Sequence, residues 1–313
     1  MIISASRRTD IPAFYSKWFM ERIKKGYYIK VNPFNAKQKK LVSLKSEDVD
    51  AIVIWTKNPK PMMNDLDYLE ELGYNFYFQF TLNDYPKQLE PTLPSLASRI
   101  SIFKELSDKL GHKRVIWRYD PIICSSITPI SFLKERFEYI ASELENDTAR
   151  VVISFVDMYG KIKNKFNRLE KEHGIEFYDL LDEQYQDQLI SFCKDLSHIA
   201  RSKQMDIYSC AEKIDLDEVG IKHGACIDHQ LISELFNLPL GVKKDRNQRP
   251  ECLCAISEEV GTYNTCKFNC AYCYAVQSEK SVLNNTKKHH WQSPLLIGDL
   301  DGDEELSEQL RLF

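Results

Sequence analysis

The chain has 313 residues, of which 43% are hydrophobic and 12% aromatic. This composition is that of an ordinary globular protein and supplies enough apolar material for one large core or two smaller ones. The formal net charge is −4, and the pI is near 6.0. These values exclude a global basic field of the kind that attracts nucleic acid or an anionic membrane, although a local basic groove remains compatible with them.

The N-terminal segment MIISASRRTDIPAF has only a few apolar residues before Arg7, Arg8 and Asp10. It is far too short for the core of a signal peptide or for a membrane span, so we expect a cytoplasmic protein with no membrane partner. In a reducing compartment the nine cysteines are not expected to form disulfides. Clusters of cysteines then become candidates for metal sites or catalysis.

Short runs of β-branched and aromatic residues alternate with amphipathic helical segments. The runs begin at Ile2, Ala51, Asn75, Arg114, Arg150 and Met205. This alternation predicts parallel strands joined by crossover helices, which is an α/β fold with either a (βα) barrel or an open sheet. Two further runs on either side of Pro33 and Phe34 predict a hairpin insertion near residues 27–44.

The polar stretch DRNQRP, which starts at Asp245, interrupts this rhythm. We therefore predict that residues 1–245 form the (βα) body. Residues 246–313, which contain a cysteine-rich segment and the C-terminal tail, are predicted to complete the same domain.

Polar residues recur where the predicted strands end. Ligands of parallel α/β folds bind outside the carboxyl ends of the strands, so these residues are candidates for a binding or catalytic site. Each one alone is as readily explained by a loop cap or an ion pair, such as Arg118 with Asp120, but their repeated placement favours a site. The candidates are Arg7, Asp10, Thr56, Lys57, Gln79, Thr81, Arg118, Ser154 and Glu212.

The segment TYNTCKFNCAYCYA contains Cys266, Cys270 and Cys273 in the pattern C-x3-C-x2-C. Independent placement of the cysteines would produce this spacing in roughly 1% of such chains or fewer. Thiolates at this spacing in a tight loop can converge on a cubane cluster, and three of them leave one iron without a protein ligand. The spacing therefore predicts a 4Fe-4S cluster with an open iron.

A structural zinc site is the alternative for these three cysteines, with a fourth ligand from Cys252, Cys254 or His289. Zinc accepts the same thiolates in a tetrahedral site. Structural zinc, however, usually binds paired C-x2-C knuckles, which favours the iron–sulfur interpretation.

The cysteine loop resembles that of the radical S-adenosylmethionine (SAM) superfamily, which has this spacing and usually an aromatic residue before the last cysteine, as Tyr272 is here. The flanking YNTCKFNCAYCYA is especially similar to the loop of spore photoproduct lyase and its relatives, as is the segment 81–122. The resemblance implies that the open iron binds SAM and that the reduced cluster cleaves it to a 5'-deoxyadenosyl radical. It also implies an electron donor such as flavodoxin or ferredoxin.

The order of the elements departs from that superfamily, whose members carry the cysteine loop after the first strand. A circular permutation of a partial (βα)6 TIM-like barrel, with the cluster loop C-terminal, would reconcile the two. The whole chain also resembles a family of uncharacterised bacterial and archaeal proteins. Members open with a SRRTDIPAF-like sequence and close with YCYA and a SPLLIG-like tail, here at residues 293–298.

The resemblance also implies roles for the candidate residues. SAM would lie across the carboxyl ends of the strands, with Arg118 as the first choice to bind its carboxylate in a bidentate fashion. The residues assigned to catalysis are Arg7, Asp10, Lys57, Arg118 and Glu212. Those assigned to the cofactor are Thr56, Gln79, Thr81, Arg118, Ser154 and Tyr272.

Four other cysteines are candidates for a second metal centre, either an auxiliary iron–sulfur cluster or zinc. Cys252 and Cys254 form a C-x-C pair, Cys210 ends the sixth predicted strand, and Cys226 lies in GIKHGACID. The alternative is four buried thiols, which are common in cytosolic proteins.

Two functions follow from these patterns. The leading hypothesis is a radical SAM enzyme whose substrate the sequence does not identify, with a nucleic-acid lesion or modified base suggested by the likeness to spore photoproduct lyase. The alternative is a non-catalytic barrel, stabilised by zinc or an iron–sulfur cluster, that binds nucleic acid or protein. The oligomeric state is not encoded in any of these motifs.

Overall fold

The computed structural model describes residues 1–158, 160–239, 241, 244–246 and 248–300. The tail that was predicted to complete the domain therefore lies outside the described residues from position 301 onward. In chain order the strands are β1 (Ile2–Ala5), β2 (Tyr27–Asn32), β3 (Asn35–Ser43), β4 (Ala51–Thr56), β5 (Phe76–Thr81), β6 (Val115–Ile122), β7 (Cys124–Ser125), β8 (Arg150–Phe155), β9 (Phe177–Tyr178), β10 (Asp206–Cys210), β11 (Lys222–Gly224) and β12 (Ser257–Glu259).

The helices alternate with these strands along the chain. They are α1 (Ile11–Phe14), α2 (Ser16–Lys25), α3 (Leu66–Glu71), α4 (Leu96–Leu110), α5 (Ile130–Glu143), α6 (Gly160–His173), α7 (Gln186–Ser202), α8 (His229–Phe236) and α9 (Glu279–Thr286). None of the helices in the described ranges combines the length and the apolar character that a membrane crossing requires.

The chain divides into two compact units. The first contains residues 1–77, 257–269 and those from 275 onward, and the second contains residues 78–256 and 270–274. Both units include chain from either side of residue 245, where the sequence analysis places the start of the cluster segment.

The first unit has a parallel sheet in the order β12-β1-β4, with Ile2 beside both Ser257 and Ala51. All four residues of β1 are buried, as expected for the central strand of a parallel sheet. Strands β2 and β3 pair antiparallel and form a hairpin where the sequence predicts one.

Helix α2 of the first unit packs against the segment that contains the SPLLIG sequence. The indole Nε1 of Trp18 donates to the carbonyls of Ser293 at 2.8 Å and Leu295 at 3.0 Å. The backbone N–H of Ile29 donates to the carbonyl of Pro294 at 2.9 Å. These bonds satisfy the polar backbone of an otherwise irregular segment.

The second unit has a parallel sheet in the order β5-β6-β8-β10-β11. Helix α4 packs on β6, α7 packs on β10, and α5 lies against α7. Trp117 stacks on Phe137 with ring centroids 4.8 Å apart, and both side chains are fully buried. The core of this unit therefore lies between its strands and the crossover helices.

All six predicted strand runs are strands in the structure, as β1, β4, β5, β6, β8 and β10. This confirms the α/β class and the parallel arrangement within each unit. The partial (βα)6 barrel and its permutation go beyond these observations and stay predictions.

Candidate functional site

In the first unit, Asp10 connects the end of β1 with the end of β4. Its Oδ1 accepts hydrogen bonds from the backbone N–H of Ala13 at 3.0 Å and from Thr56 Oγ1 at 2.8 Å. Its Oδ2 accepts from the backbone N–H of Lys57 at 2.6 Å. Despite these donors, burial raises the pKa of Asp10 from 3.8 to about 6, because desolvation of the charged form outweighs the hydrogen bonds.

The raised pKa of Asp10 predicts a specific dependence of stability on pH. Because the folded pKa of about 6 exceeds the ordinary 3.8, the stabilisation linked to this group is complete below about pH 4 and is lost as the pH rises through 6. Asp10→Asn removes the titration. Between pH 4 and 7 the free energy of unfolding of the variant should therefore gain about 2 kcal/mol relative to the wild type.

Urea unfolding at several pH values measures this difference. The exposed Asp67 provides a matched control, since Asp67→Asn makes the same chemical change outside the protein interior. Equal slopes for Asp10→Asn and the wild type would contradict the proposed origin of the pH dependence.

Arg7 is held at the same end of the first sheet by Glu259. Its Nε lies 3.5 Å from Glu259 Oε2, and its backbone N–H donates to the same oxygen at 3.4 Å. Ser4 Oγ adds a third contact to that oxygen at 3.1 Å. Glu259 is buried, so Arg7 supplies the positive charge that a buried carboxylate requires. The sequence analysis missed Glu259, since an acidic residue in a charged run gives no such signal.

The chain leading to Cys266 is bound to the loop after β1 in the same unit. Thr9 Oγ1 donates to the carbonyl of Thr262 at 3.0 Å and lies 2.6 Å from Thr265 Oγ1. The hydroxyl of Tyr15 donates to the carbonyl of Thr265 at 2.9 Å. Cys266 comes directly after Thr265. The hydrogen bonds of Thr262 and Thr265 therefore fix the chain before Cys266 to the residues that follow β1.

Cys270 and Cys273 lie in the second unit, in a turn in which the backbone N–H of Cys273 donates to the carbonyl of Cys270 at 3.1 Å. Tyr272 between them is buried, and its hydroxyl donates to Glu90. The ring of Tyr85 lies edge-on to that of Tyr272, at 5.9 Å between centroids. The aromatic residue before the last cysteine therefore anchors this part of the loop.

Lys165 of α6 brings a positive charge to the same turn. Its Nζ donates to the carbonyl of Cys273 at 2.8 Å. Burial lowers the pKa of Lys165, while Cys273 and Cys270 oppose that shift, as expected where an ammonium lies close to groups that become anionic. Sequence analysis missed both Lys165 and Glu90, since neither follows a strand or belongs to a motif.

Arg118 of β6 is almost fully buried and lies among polar groups of the second unit. It forms a bidentate ion pair with Asp120, with Nε 3.0 Å from Oδ1 and Nη2 bonded to Oδ2. Its Nη1 donates to Gln79 Oε1 and to Cys226 Sγ, each at 3.3 Å. The ion pair with Asp120, which the sequence offered as the alternative role of Arg118, is thus present. A SAM carboxylate could bind Arg118 only by replacing the carboxylate of Asp120.

Other predicted residues lie at the carboxyl ends of neighbouring strands in this unit. Thr81 ends β5 and is in register with Arg118. Ser154 Oγ lies 3.4 Å from Asp120 Oδ2. Glu212, just after β10, accepts from the backbone N–H of Phe155 at 2.8 Å, and burial raises its pKa to about 7.

The second cysteine group contains a disulfide between Cys210 and Cys226, so the expectation of no disulfides is wrong for this pair. The reason is the pairing of β10 with β11, which places Cys210 in register with Gly224. Cys226 follows two residues later, and the Cα atoms of the two cysteines are 6.5 Å apart, within the range that a disulfide spans. Ligation of a metal by these two cysteines requires the reduced form.

Within the ranges that the structure describes, no three His, Cys, Asp or Glu side chains are arranged to hold a metal ion. The assignment of Cys266, Cys270 and Cys273 to a cluster therefore depends on their spacing in the sequence.

A search of curated proteins found no match. A family described as a domain of unknown function, DUF1848, matches residues 2–275. The matched range contains both cysteine groups and all the candidate residues at the strand ends, and the description attaches no chemistry to them. Because the match covers far more than half of the 313 residues, the chain belongs to the DUF1848 family.

Proposed function

We propose that this chain is a radical SAM enzyme that binds a 4Fe-4S cluster through Cys266, Cys270 and Cys273. The observation that carries the proposal is the C-x3-C-x2-C spacing with an aromatic residue, Tyr272, before the last cysteine. We include the permuted partial (βα)6 barrel in this proposal, since it explains why the cysteine loop follows the strands instead of preceding them.

The residues around Cys270 and Cys273 suit a thiolate-bound cluster. Lys165 supplies a cation next to groups that bind iron as anions. The backbone N–H of Ala271 donates to the carbonyl of Leu89 at 2.9 Å, which fixes the chain between the two cysteines. When bound, the cluster would supply the electron that cleaves SAM to methionine and a 5'-deoxyadenosyl radical.

In the second unit, the residues that would bind polar groups of SAM lie near the carboxyl ends of β5 and β6. The Oδ1 atom of Asn83 is buried and has no hydrogen-bond partner among the described residues, whereas its Nδ2 donates to the carbonyl of Asp120 at 2.9 Å. A buried acceptor of this kind is costly unless a donor reaches it, and an amino or hydroxyl group of the cofactor would serve. Gln79 and Arg118 lie at the same strand ends and are hydrogen-bonded to each other, so a polar group of SAM would exchange with these bonds.

In the first unit, Asp10 and Thr56 are the residues that would meet a cofactor or hold a proton. With a pKa of about 6, Asp10 can exchange a proton near neutral pH, as an acid or base in a catalytic site must. We propose the same role for Glu212 in the second unit, whose pKa is about 7. The likeness to spore photoproduct lyase supports a nucleic-acid lesion or modified base as the substrate class.

The test is anaerobic purification, reconstitution with iron and sulfide, and reduction with dithionite in place of the flavodoxin or ferredoxin donor. We expect a reducible 4Fe-4S spectrum and release of 5'-deoxyadenosine from SAM. Stoichiometric zinc with no SAM cleavage would overturn it and favour a metal-stabilised binding protein. Incubation of the reduced enzyme with damaged or modified nucleic acid, and separately with metabolite extract, then identifies which one increases cofactor consumption.

A further inference from the structure

Among the buried cysteines of the second unit are Cys210, Cys226, Cys252 and Cys254, each with at most 8% of its surface exposed. Two of them are adjacent in space because β10 and β11 are paired strands. The positions of the other two relative to this pair follow from backbone hydrogen bonds.

The C-x-C segment runs beside the chain that follows β11. Cys254 Sγ accepts a hydrogen bond from the backbone N–H of Ile227, the residue after Cys226, at 3.4 Å. The backbone N–H of Ala255 donates to the carbonyl of Ile227 at 3.0 Å. Cys254 is therefore fixed next to the position of Cys226.

Cys252 is attached to the same region from its other side. The carbonyl of Glu251 lies 2.7 Å from Nε2 of His223, a residue of β11. The backbone N–H of Cys252 itself donates to the carbonyl of Arg249 at 3.0 Å. The residues that flank the C-x-C pair, Glu251 and Ala255, are thus hydrogen-bonded to β11 and to the chain just after it.

Two of the four sulfur atoms accept hydrogen bonds from nearby groups. Arg118 Nη1 donates to Cys226 Sγ at 3.3 Å, and the Ile227 N–H donates to Cys254 Sγ. Hydrogen bonds to sulfur tune metal–thiolate centres. A disulfide between Cys210 and Cys226 involves only two of the four sulfurs and does not account for the C-x-C pair beside it.

With the Cys210–Cys226 disulfide present, no three His, Cys, Asp or Glu side chains of the described residues are arranged to hold a metal ion. We propose that reduction of this disulfide allows Cys210, Cys226, Cys252 and Cys254 to form a second metal site, separate from the three-cysteine loop. Four thiolates suit a soft metal, either zinc or an iron–sulfur cluster. Loading requires that a dithiol reductant transfer two electrons and two protons to the Cys210–Cys226 disulfide, which yields two thiols and the oxidised reductant. The thiol protons are released when the metal binds.

The experiment uses the full chain with Cys266→Ala, Cys270→Ala and Cys273→Ala, which removes the first candidate site. After anaerobic purification with a dithiol reductant, the protein is loaded with zinc alone or with iron and sulfide. Elemental analysis should find zinc at about one ion per chain or iron with matching sulfide. X-ray absorption should find sulfur ligands at about 2.3 Å from the metal.

Adding Cys252→Ser and Cys254→Ser should remove that metal. Cys193→Ser, which changes a buried cysteine of α7 in the same unit, is the matched control and should retain it. Bound zinc and a bound iron–sulfur cluster both support the site and identify its metal. A reduced chain that takes up neither, or that keeps its metal without Cys252 and Cys254, overturns the proposal.

A second measurement leaves the four cysteines of the second site unchanged, so its result does not depend on whether the Cys252→Ser and Cys254→Ser variants fold. In the triple-alanine chain, metal should protect Cys210, Cys226, Cys252 and Cys254 from alkylation as one group, read by mass spectrometry of the peptides. Equal alkylation rates with and without metal would also overturn the proposal. Neither readout depends on SAM cleavage, so failure here is distinguishable from failure of the proposed enzyme activity.

Discussion

Replacing Cys266, Cys270 and Cys273 together with alanine is expected to reduce SAM cleavage to background. Each cysteine would supply one iron ligand, and a cluster with only three protein ligands does not tolerate their loss. The measurement is 5'-deoxyadenosine release under dithionite, together with the iron and sulfide content. Iron at a second site would persist, so the loss of cleavage is the decisive readout.

Cys124→Ala provides the matched control for this loss. Cys124 lies in β7, and burial raises the pKa of its thiol to about 11, which makes it a poor iron ligand near neutral pH. This variant should cleave SAM like the wild type. A triple variant with full iron content and unchanged cleavage would rule out the assignment of the cluster to this loop.

Gly261→Ala is expected to lower the free energy of unfolding by about 3 kcal/mol, because Ser6 and Thr9 lie too close to Gly261 to leave space for a methyl group. A Cβ at this position would lie 1.9 Å from Ser6 Oγ and 2.8 Å from both Ser6 Cβ and Thr9 Oγ1. The backbone would have to move, and the hydrogen bonds of Thr9 to Thr262 and Thr265 would be disturbed with it. Chemical denaturation measures the effect.

Gly160→Ala is the control, since a methyl group at this position would meet none of the described atoms within 4 Å and alanine favours a helix. It should stay within about 1 kcal/mol of the wild type. Ser6→Gly removes two of the three colliding atoms and should recover part of the lost stability when combined with Gly261→Ala. Wild-type stability in the single Gly261→Ala variant would show that the segment can shift at little cost.

Local patterns in the sequence were sufficient to predict the longer strands of the structure. Strands β7, β9, β11 and β12, which have only two or three residues each, were not predicted. Short runs of β-branched and aromatic residues indicate buried parallel strands even when the neighbouring strands are unknown. The reason is that the preference of these residues for strands acts within a few positions of the chain. The cysteine loop is a pattern of the same kind, since its three thiols lie within eight positions of one another. For this reason the α/β class and the principal hypothesis of function both come from the sequence.

The partners of the candidate residues depended on the tertiary structure. Tyr272 and Glu90 are 182 positions apart, and Arg118 and Cys226 are 108 apart, so no local pattern connects them. The Cys210–Cys226 disulfide likewise follows from the pairing of β10 with β11. The sequence by itself determined the longer strands and the candidate residues for chemistry, whereas the tertiary structure decided which of those residues meet, because contacts between distant parts of a chain arise only when its strands pair and pack.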